Sequence, residues 1–461
     1  MTIALKPYHR PVIEVLPFLA LEKHQLHNIT VAADEPLTLD TVDLLQKFGS
    51  PLYVVSEQKL RQDYKNFKRS FSDEHVNTKV AYSIKTNYLP AICAILRQEG
   101  AQAEVVSGME YELARTLGVP GKDIIFNGPH KTQSELKLAL SEGALVNIDN
   151  FNELELIDQL SKELFTPARV AIRVNFRFGT NPWTKFGFNN ENGESLSALR
   201  KISRNNKLQF EGFHCHVGTF VLVHELYANA VEKLIELAKQ ARELGLNPTS
   251  IDIGGGFPSA NTLRPEYDLP GGSQRTNNDY LLPYAEHIFG QLRKHSDLFG
   301  NNPTLILEPG RAIVDASTQL LSTVIAKKEI VGGRNAVIID AGVNLVPTVC
   351  YYNHQIKTVA ATKSEERGLL KPVDIFGPLC MQSDRLREQI LMPALNVGDH
   401  LSIGNVGAYC HTQSNQFIQP RPATILLGEQ GPELIRRAET FRDIFALDLL
   451  PGRLRDDKCQ F

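Results

Sequence analysis

Between Ser56 and Leu307 the chain alternates two patterns: apolar residues at helical spacing, and short, mainly apolar runs. In Ser56–Phe71 the residues Leu60, Tyr64, Phe67 and Phe71 recur every three or four positions, which predicts a helix with one buried face. Leu226, Ala230, Leu234, Leu237, Ala241 and Leu244 predict a second helix, closed by Gly245. The apolar runs give eight candidate strands: Val80–Ile84, Ala103–Val106, Ile124–Phe126, Leu145–Ile148, Val170–Val174, Leu208–Phe213, Ile251–Ile253 and Leu305–Leu307. Parallel strands covered on both faces read as such runs. Eight of them, many separated by helical stretches, predict an α/β protein with a (β/α)8 TIM-like barrel. A doubly wound open sheet shares this texture and remains the competing layout.

Beyond Arg311 long helical stretches become rare. Gln319–Ile325, Ala336–Ile339, His400–Ile403 and Thr424–Leu427 read as strands of a second, mainly β domain. The N-terminal part does not follow the barrel rhythm either. It holds a short helix at Thr41–Phe48, ended by Gly49, then the run Leu52–Val55. The expected division is therefore a barrel over 56–312, with 1–55 and 313–461 joining in one discontinuous β domain. Pro258–Tyr280, rich in Gly, Pro and Asn, is too long for a plain connection and reads as a lid or a partner-contacting loop.

Composition narrows the function classes. The chain has 461 residues, 42% of them hydrophobic, which is ample for full cores. With 49 Lys+Arg against 52 Asp+Glu the net charge is −3, giving no field to draw in nucleic acid or an anionic membrane. No apolar run approaches the length of a membrane span. Met1–Leu21 is interrupted by Lys6, His9, Arg10, Pro11 and Glu14, so no secretory leader is expected. The six cysteines contain no Cys-x-x-Cys pair, which suggests reduced thiols in the cytoplasm and no metal site.

In a barrel, chemistry gathers where the strands end. One step past the runs stand Lys85, Ser107, Asn127, Asp149, Asn175, His216, Gly254-Gly255-Gly256 and Glu308-Pro309-Gly310-Arg311. Taken singly, each has an ordinary explanation: a solvated lysine, a core histidine, a tight glycine turn, a structural ion pair. The triple glycine has no Lys-Ser/Thr after it, so it is not a nucleotide P-loop, but adjacent glycines leave backbone N–H groups free to surround a phosphate. Together the pieces are complementary. A lysine able to form a Schiff base, a glycine nest with Arg311 for a phosphate, Glu308 for a pyridinium nitrogen and a flat His216 ring match the needs of pyridoxal 5'-phosphate.

Four segments carry a family resemblance: Ala81-Tyr82-Ser83-Ile84-Lys85-Thr86-Asn87, His214-Cys215-His216-Val217-Gly218-Thr219, Gly254-Gly255-Gly256-Phe257-Pro258 and Glu308-Pro309-Gly310-Arg311. They resemble the barrel-type pyridoxal phosphate decarboxylases with the alanine-racemase fold, which act on diaminopimelate, ornithine and arginine. Gly377-Pro378-Leu379-Cys380-Met381-Gln382-Ser383-Asp384 and Gly407-Ala408-Tyr409 extend the match into the second domain. The resemblance implies that Lys85 holds the cofactor as an imine, Glu308 pairs with the ring nitrogen, and His216 stacks on the ring. It implies that Thr219, Gly254, Gly255, Gly256, Gly310 and Arg311 bind the phosphate, with Tyr409 closing the site. It further implies a head-to-tail homodimer in which Cys380 reprotonates the α-carbon across the interface.

This chain departs from the family at the residues that grip the far end of the substrate. Met381 stands where diaminopimelate decarboxylases usually have Glu, Val346 where they have Arg, and Asn353 where ornithine decarboxylases have Asp. Glu104 replaces a usual Asp. A buried distal charge facing Met and Asn is poorly compensated. The expected activity is therefore α-decarboxylation of an amino acid other than plain meso-diaminopimelate. The substrate would be basic or distally modified, such as a siderophore or secondary-metabolite intermediate, contacting Arg311, Asn353, Met381 and Tyr409. The alternatives are a diaminopimelate decarboxylase of lysine biosynthesis with atypical distal contacts and an amino-acid racemase, although racemases of this fold pair the ring nitrogen with Arg. A non-catalytic relative is disfavoured because Lys85, His216, Glu308, Arg311 and Cys380 are all present.

Overall fold

The structure is a computed structural model describing residues 41–177, 185–264, 280–300, 302–359 and 370–455. The expected domain membership of residues 1–40 and most of the Pro258–Tyr280 loop lie outside the described residues.

Strand β1 (Leu52–Ser56) follows the expected short helix Thr41–Phe48 and leads into the helix Glu57–Ser70. Ser56 starts that helix by accepting the Lys59 N–H at 3.2 Å, and its Leu60, Tyr64 and Phe67 are buried along one face. The eight runs then become β2 (Asn77–Ser83), β3 (Gln102–Val105), β4 (Ile124–Phe126), β5 (Leu145–Ile148), β6 (Ala168–Asn175), β7 (Leu208–His214), β8 (Ser250–Asp252) and β9 (Thr304–Leu307). Their order, β5-β4-β3-β2-β9-β8-β7-β6 with β6 pairing back to β5, closes the ring. Every one of these pairings is parallel. The closed barrel is therefore correct and the open sheet is not. The helix Glu225–Glu243 packs on its outside through Tyr227, Ala230, Val231, Leu234 and Leu237, and chain reversal follows at Gly245, whose φ is +79°. Inside, Ala81, Ile125, Leu145, Ala171 and Ile306 form a separate apolar cluster. Above that plug the barrel interior turns polar.

Among the described residues the second sheet has nine strands. To β1 it adds β10 (Thr318–Ile330), β11 (Arg334–Ile339), β12 (Ile356–Val359), β13 (Lys371–Phe376), β14 (Arg385–Met392), β15 (His400–Ile403), β16 (Ala423–Gly428) and β17 (Gly431–Arg436). Its path is β14-β13-β11-β10-β1-β16-β17, with β15 paired to β10 and β12. β1 thus lies between C-terminal strands, antiparallel to β10 and parallel to β16. The β12, β13 and β17 strands have no apolar run longer than two residues, and β14 has one only at its end. β13 starts Lys-Pro, β14 begins with the polar-rich stretch Arg-Leu-Arg-Glu-Gln, and β13 and β14 meet through two irregularities. Apolar-run reading therefore passes over them. Among the described residues no helix is long and apolar enough to cross a membrane.

Candidate active site

The barrel's polar layer takes one side chain from nearly every strand end. β2 stops at Ser83 and a single 3-10 turn, Ile84–Thr86, turns Lys85 into the mouth. Its Nζ donates to Glu104 Oε2 at 2.6 Å and to Ser83 Oγ at 2.7 Å. Glu104, on β3, is 1% exposed, whereas the Lys85 side chain is 39% accessible, as an amine must be if an aldehyde is to reach it. Burial alone would lower the Lys85 pKa. The negative fields of Glu104, Tyr409 and Glu308 outweigh it and raise the value above the ordinary lysine range.

Asn127 ties the two sides of the layer together. Its Nδ2 donates to Glu104 Oε1 at 3.0 Å and to Glu308 Oε1 at 2.6 Å. Lys85 and Glu308 therefore belong to one hydrogen-bonded chain across the mouth. Burial would raise the Glu308 pKa, but His214 and Lys85 overcome it and hold the carboxyl well below the usual carboxylate range. His214 Nε2 lies 3.5 Å from Glu308 Oε2. The acid is ionised, as a partner for a pyridinium nitrogen must be.

The glycine turn after β8 is shaped by close backbone approach. A Cβ on Gly255 would meet Glu308 O at 2.4 Å, and one on Gly256, at φ +88°, would meet Gly218 O at 2.3 Å. Gly255 N–H donates to His216 Nδ1 at 3.2 Å, and Val221 N–H donates to Gly256 O at 2.9 Å, so the loop bearing exposed Thr219 is fastened to the turn. Opposite it a Cβ on Gly310 would overlap Thr86 Oγ1 at 1.9 Å, and that buried hydroxyl has no hydrogen-bond partner. The result is a side-chain-free cradle that fits a phosphate. Gly256→Ala is expected to introduce about 1–3 kcal/mol of strain. Moving the cradle to relieve it should weaken pyridoxal phosphate affinity by ~10–100-fold in a fluorescence titration of apoprotein. Unchanged affinity would remove Gly256 from the phosphate site.

Arg311 is buried, with Nη1 donating to Asp315 Oδ2 at 3.1 Å and its guanidinium 4.4 Å from the Tyr352 ring and 5.3 Å from the Tyr409 ring. Asp315 also accepts from Ser259 Oγ, from Asn261 Nδ2 at 2.8 Å and from Ala408 N–H at 3.1 Å. Tyr409, at φ +67°, donates its N–H to Thr86 O at 2.9 Å. Asp315 and Tyr409 thus lock the β domain onto the barrel mouth beside Lys85.

The remaining expected residues scatter. Cys380 and Met381 are exposed on the loop between β13 and β14. Asn353 pairs with Thr262 in a two-stranded ribbon, one residue beyond Tyr352. Val346 is fully buried in the β-domain core. Ser107 is a helix cap, accepting from Glu110 N–H at 3.3 Å, and not a member of the polar layer.

Two histidines carry a pH signature. Burial, then Arg173 and Lys85, takes His216 from 6.5 down to about 3. Burial, then Arg436 and Arg421, takes His411 from 6.5 down to about 4. Unfolded histidine takes up its proton first, so stability is lost as pH falls from about 6.5 towards the folded values, at ~1.4 kcal/mol per pH unit for each group. Glu110, pushed up to about 7 by burial, works in the opposite direction. The test is therefore a difference: His411→Gln should flatten the pH 7 to 5 loss of urea stability relative to the parent apoprotein. An identical slope refutes the assignment.

A barrel with a lysine at the end of its first strand, an ionised acid at the end of its last and a glycine cradle between defines a pyridoxal phosphate enzyme. Residues 57–315 match the family model of the pyridoxal-dependent decarboxylases, pyridoxal binding domain. The chain is 32% identical to the diaminopimelate decarboxylase of Methanocaldococcus jannaschii over 90% of its length and 94% of that protein's. The Bacillus subtilis diaminopimelate decarboxylase is 29% identical over 89% and 94%. Among solved structures, the M. jannaschii enzyme in complex with L-lysine superposes with a TM-score of 0.80 at 31% identity, covering 90% of this chain and 96% of that one. The Vibrio vulnificus lysine/ornithine decarboxylase complexed with putrescine gives 0.68 at 25%, covering 84% and 97%. The chain belongs to the pyridoxal-dependent decarboxylase family, and it is a carboxy-lyase acting on an amino acid, not a racemase.

Proposed function

We propose that this decarboxylase acts on an amino acid with a long side arm whose distal end is neutral or modified, in a homodimer with shared sites. The observation that carries this reading is that positions 346, 353 and 381 hold Val, Asn and Met, none of which offers a charge. Bound pyridoxal phosphate supplies the electron sink that makes loss of the α-carboxylate feasible. The chain supplies the rest. Lys85 would tether the cofactor through its amine, and ionised Glu308 would face and pair with the ring nitrogen. Neutral His216 offers a flat face. Gly254, Gly255, Gly256, Thr219, Gly310 and Arg311 bind the phosphate, while Tyr409 covers it. Arg311, Asn353, Met381 and Tyr409 face the substrate, and Cys380 of the partner subunit returns a proton to the α-carbon.

The second reading, diaminopimelate decarboxylase itself, is favoured by the names and near-complete coverage of the relatives. Carbon dioxide release separates the two. A distal amide or acyl conjugate should exceed meso-diaminopimelate in kcat/KM by about tenfold or more, the scale set by one uncompensated buried charge. Equal or better turnover of meso-diaminopimelate establishes the second reading and ends the first.

A further inference from the structure

The floor beneath the candidate site contains an acid that neither the fold nor the chemistry above has used. Asp252, the last residue of β8, is 2% exposed and sits inside the barrel between His214 and Glu308, with one polar atom of each of the three lying within 4.8 Å of the others. A carboxyl oxygen of Asp252 and one of Glu308 lie within 4.8 Å of each other, and both residues are buried. Two ionised carboxylates that close in a buried layer repel each other, whereas one that keeps its proton can donate to the other.

The surroundings decide which. Glu308 accepts from Asn127 Nδ2 and faces His214 and Lys85, all of which favour its charge. Asp252 Oδ1 accepts the Gly254 N–H at 2.8 Å, and its other oxygen has Asn147 Nδ2 at 3.5 Å. The ionisable groups facing Asp252 are Glu308, Glu104, Cys215 and His214. Four buried acids, Glu104, Asp149, Asp252 and Glu308, share the layer with two cationic side chains, Lys85 and Arg173. Leaving one acid protonated reduces that excess of charge.

We propose that Asp252 is a positioning residue: it retains a proton, donates it in a hydrogen bond to Glu308, and so fixes Glu308 as the ionised, correctly oriented partner of the cofactor ring. Burial and the Glu308 charge raise the Asp252 pKa well above the carboxylate range, in the same direction. The Gly254 N–H donates to Asp252 Oδ1, so one residue both orients the ring-nitrogen partner and pins the start of the glycine turn.

The inference rests on the assignment of Glu308 to the ring nitrogen, and the experiment separates the two. Infrared difference spectra of wild-type apoprotein minus Asp252→Asn apoprotein at pH 7 should show a protonated-carboxyl stretch. That readout involves no cofactor. Asp252→Asn retains a donor towards Glu308 and an acceptor for Gly254, so it should keep pyridoxal phosphate affinity within about threefold and leave the pH dependence of bound-cofactor absorbance in place. Asp252→Ala, which removes both bonds, should weaken affinity by about tenfold or more and shift that pH dependence. Absence of the band, or an Asp252→Asn variant as impaired as Asp252→Ala, overturns the proposal. If Asp252→Ala does not fold, the infrared band and the Asp252→Asn titration still decide it. A band present while Glu308→Gln leaves cofactor absorbance untouched would instead sink the Glu308 assignment.

Discussion

Lys85→Ala should yield a folded protein that no longer holds pyridoxal phosphate covalently and releases carbon dioxide slower by about three orders of magnitude or more. The expectation follows from the amine's isolation at the mouth. Lys131 is also a buried lysine of the barrel, but its ammonium is engaged with Glu153 at 2.7 Å, Gly128 O at 2.9 Å and Asn147 O at 3.1 Å, so it cannot stand in. Removing Lys85 has a second consequence. Glu104, 1% exposed, loses its cation, which should cost the apoprotein roughly 1–3 kcal/mol once the accessibility of the lysine end is allowed for. Lys85→Arg separates the two effects, because it keeps a charge beside Glu104 but cannot form an imine. Arginine at 85 should restore most of the stability and none of the covalent binding. Hydride reduction followed by mass analysis of the chain is the measurement. A reducible adduct surviving in either variant places the attachment elsewhere.

The eight barrel strands and the ring of residues one step beyond them were legible because burial on both faces demands uninterrupted apolar runs, and a polar residue at the end of such a run marks the mouth. Lys85, His216, the glycines and Glu308 were found that way. Inward-facing polar residues inside the strands were not. Asn147 and Asp252 sit in the runs Leu-Val-Asn-Ile and Ile-Asp-Ile, and His214 follows Phe213. Each looks like a minor interruption in sequence, yet each is buried in the layer that orients Glu308. A charged residue within an otherwise apolar parallel strand was the available signal, since an unpartnered buried acid is too costly to be incidental. Asp315 was invisible for another reason: its partners Ser259 and Asn261 on one loop and Ala408 on another come from segments that only folding assembles.

Cys380→Ala should leave cofactor affinity unchanged and lower decarboxylation by about 10²–10³-fold, the range for losing a positioned proton donor. Cys93 and Cys410 are poor candidates for that role, since burial pushes each thiol up to about 12. Cys380 is exposed on a loop that is nonetheless firmly held. Buried Asp384 accepts Leu379 N–H at 2.7 Å and Val343 N–H at 2.8 Å, and a Cβ on Gly377 would strike Asp384 Oδ2 at 2.4 Å. A thiol presented outward on a rigid loop suits action in a neighbouring subunit's site. Complementation tests this. Lys85→Ala and Cys380→Ala dimers, each nearly inactive, should exchange subunits to give heterodimers with one intact site, restoring about a quarter of wild-type activity at random mixing in a two-fold dimer. The cofactor in that mixture should be reducible only onto the Cys380→Ala chain, while the donor thiol comes from the Lys85→Ala chain. Mixing without recovery, under conditions where exchange is confirmed by mass, would place Cys380 outside the shared site and leave the α-carbon proton to a donor within the barrel's own mouth.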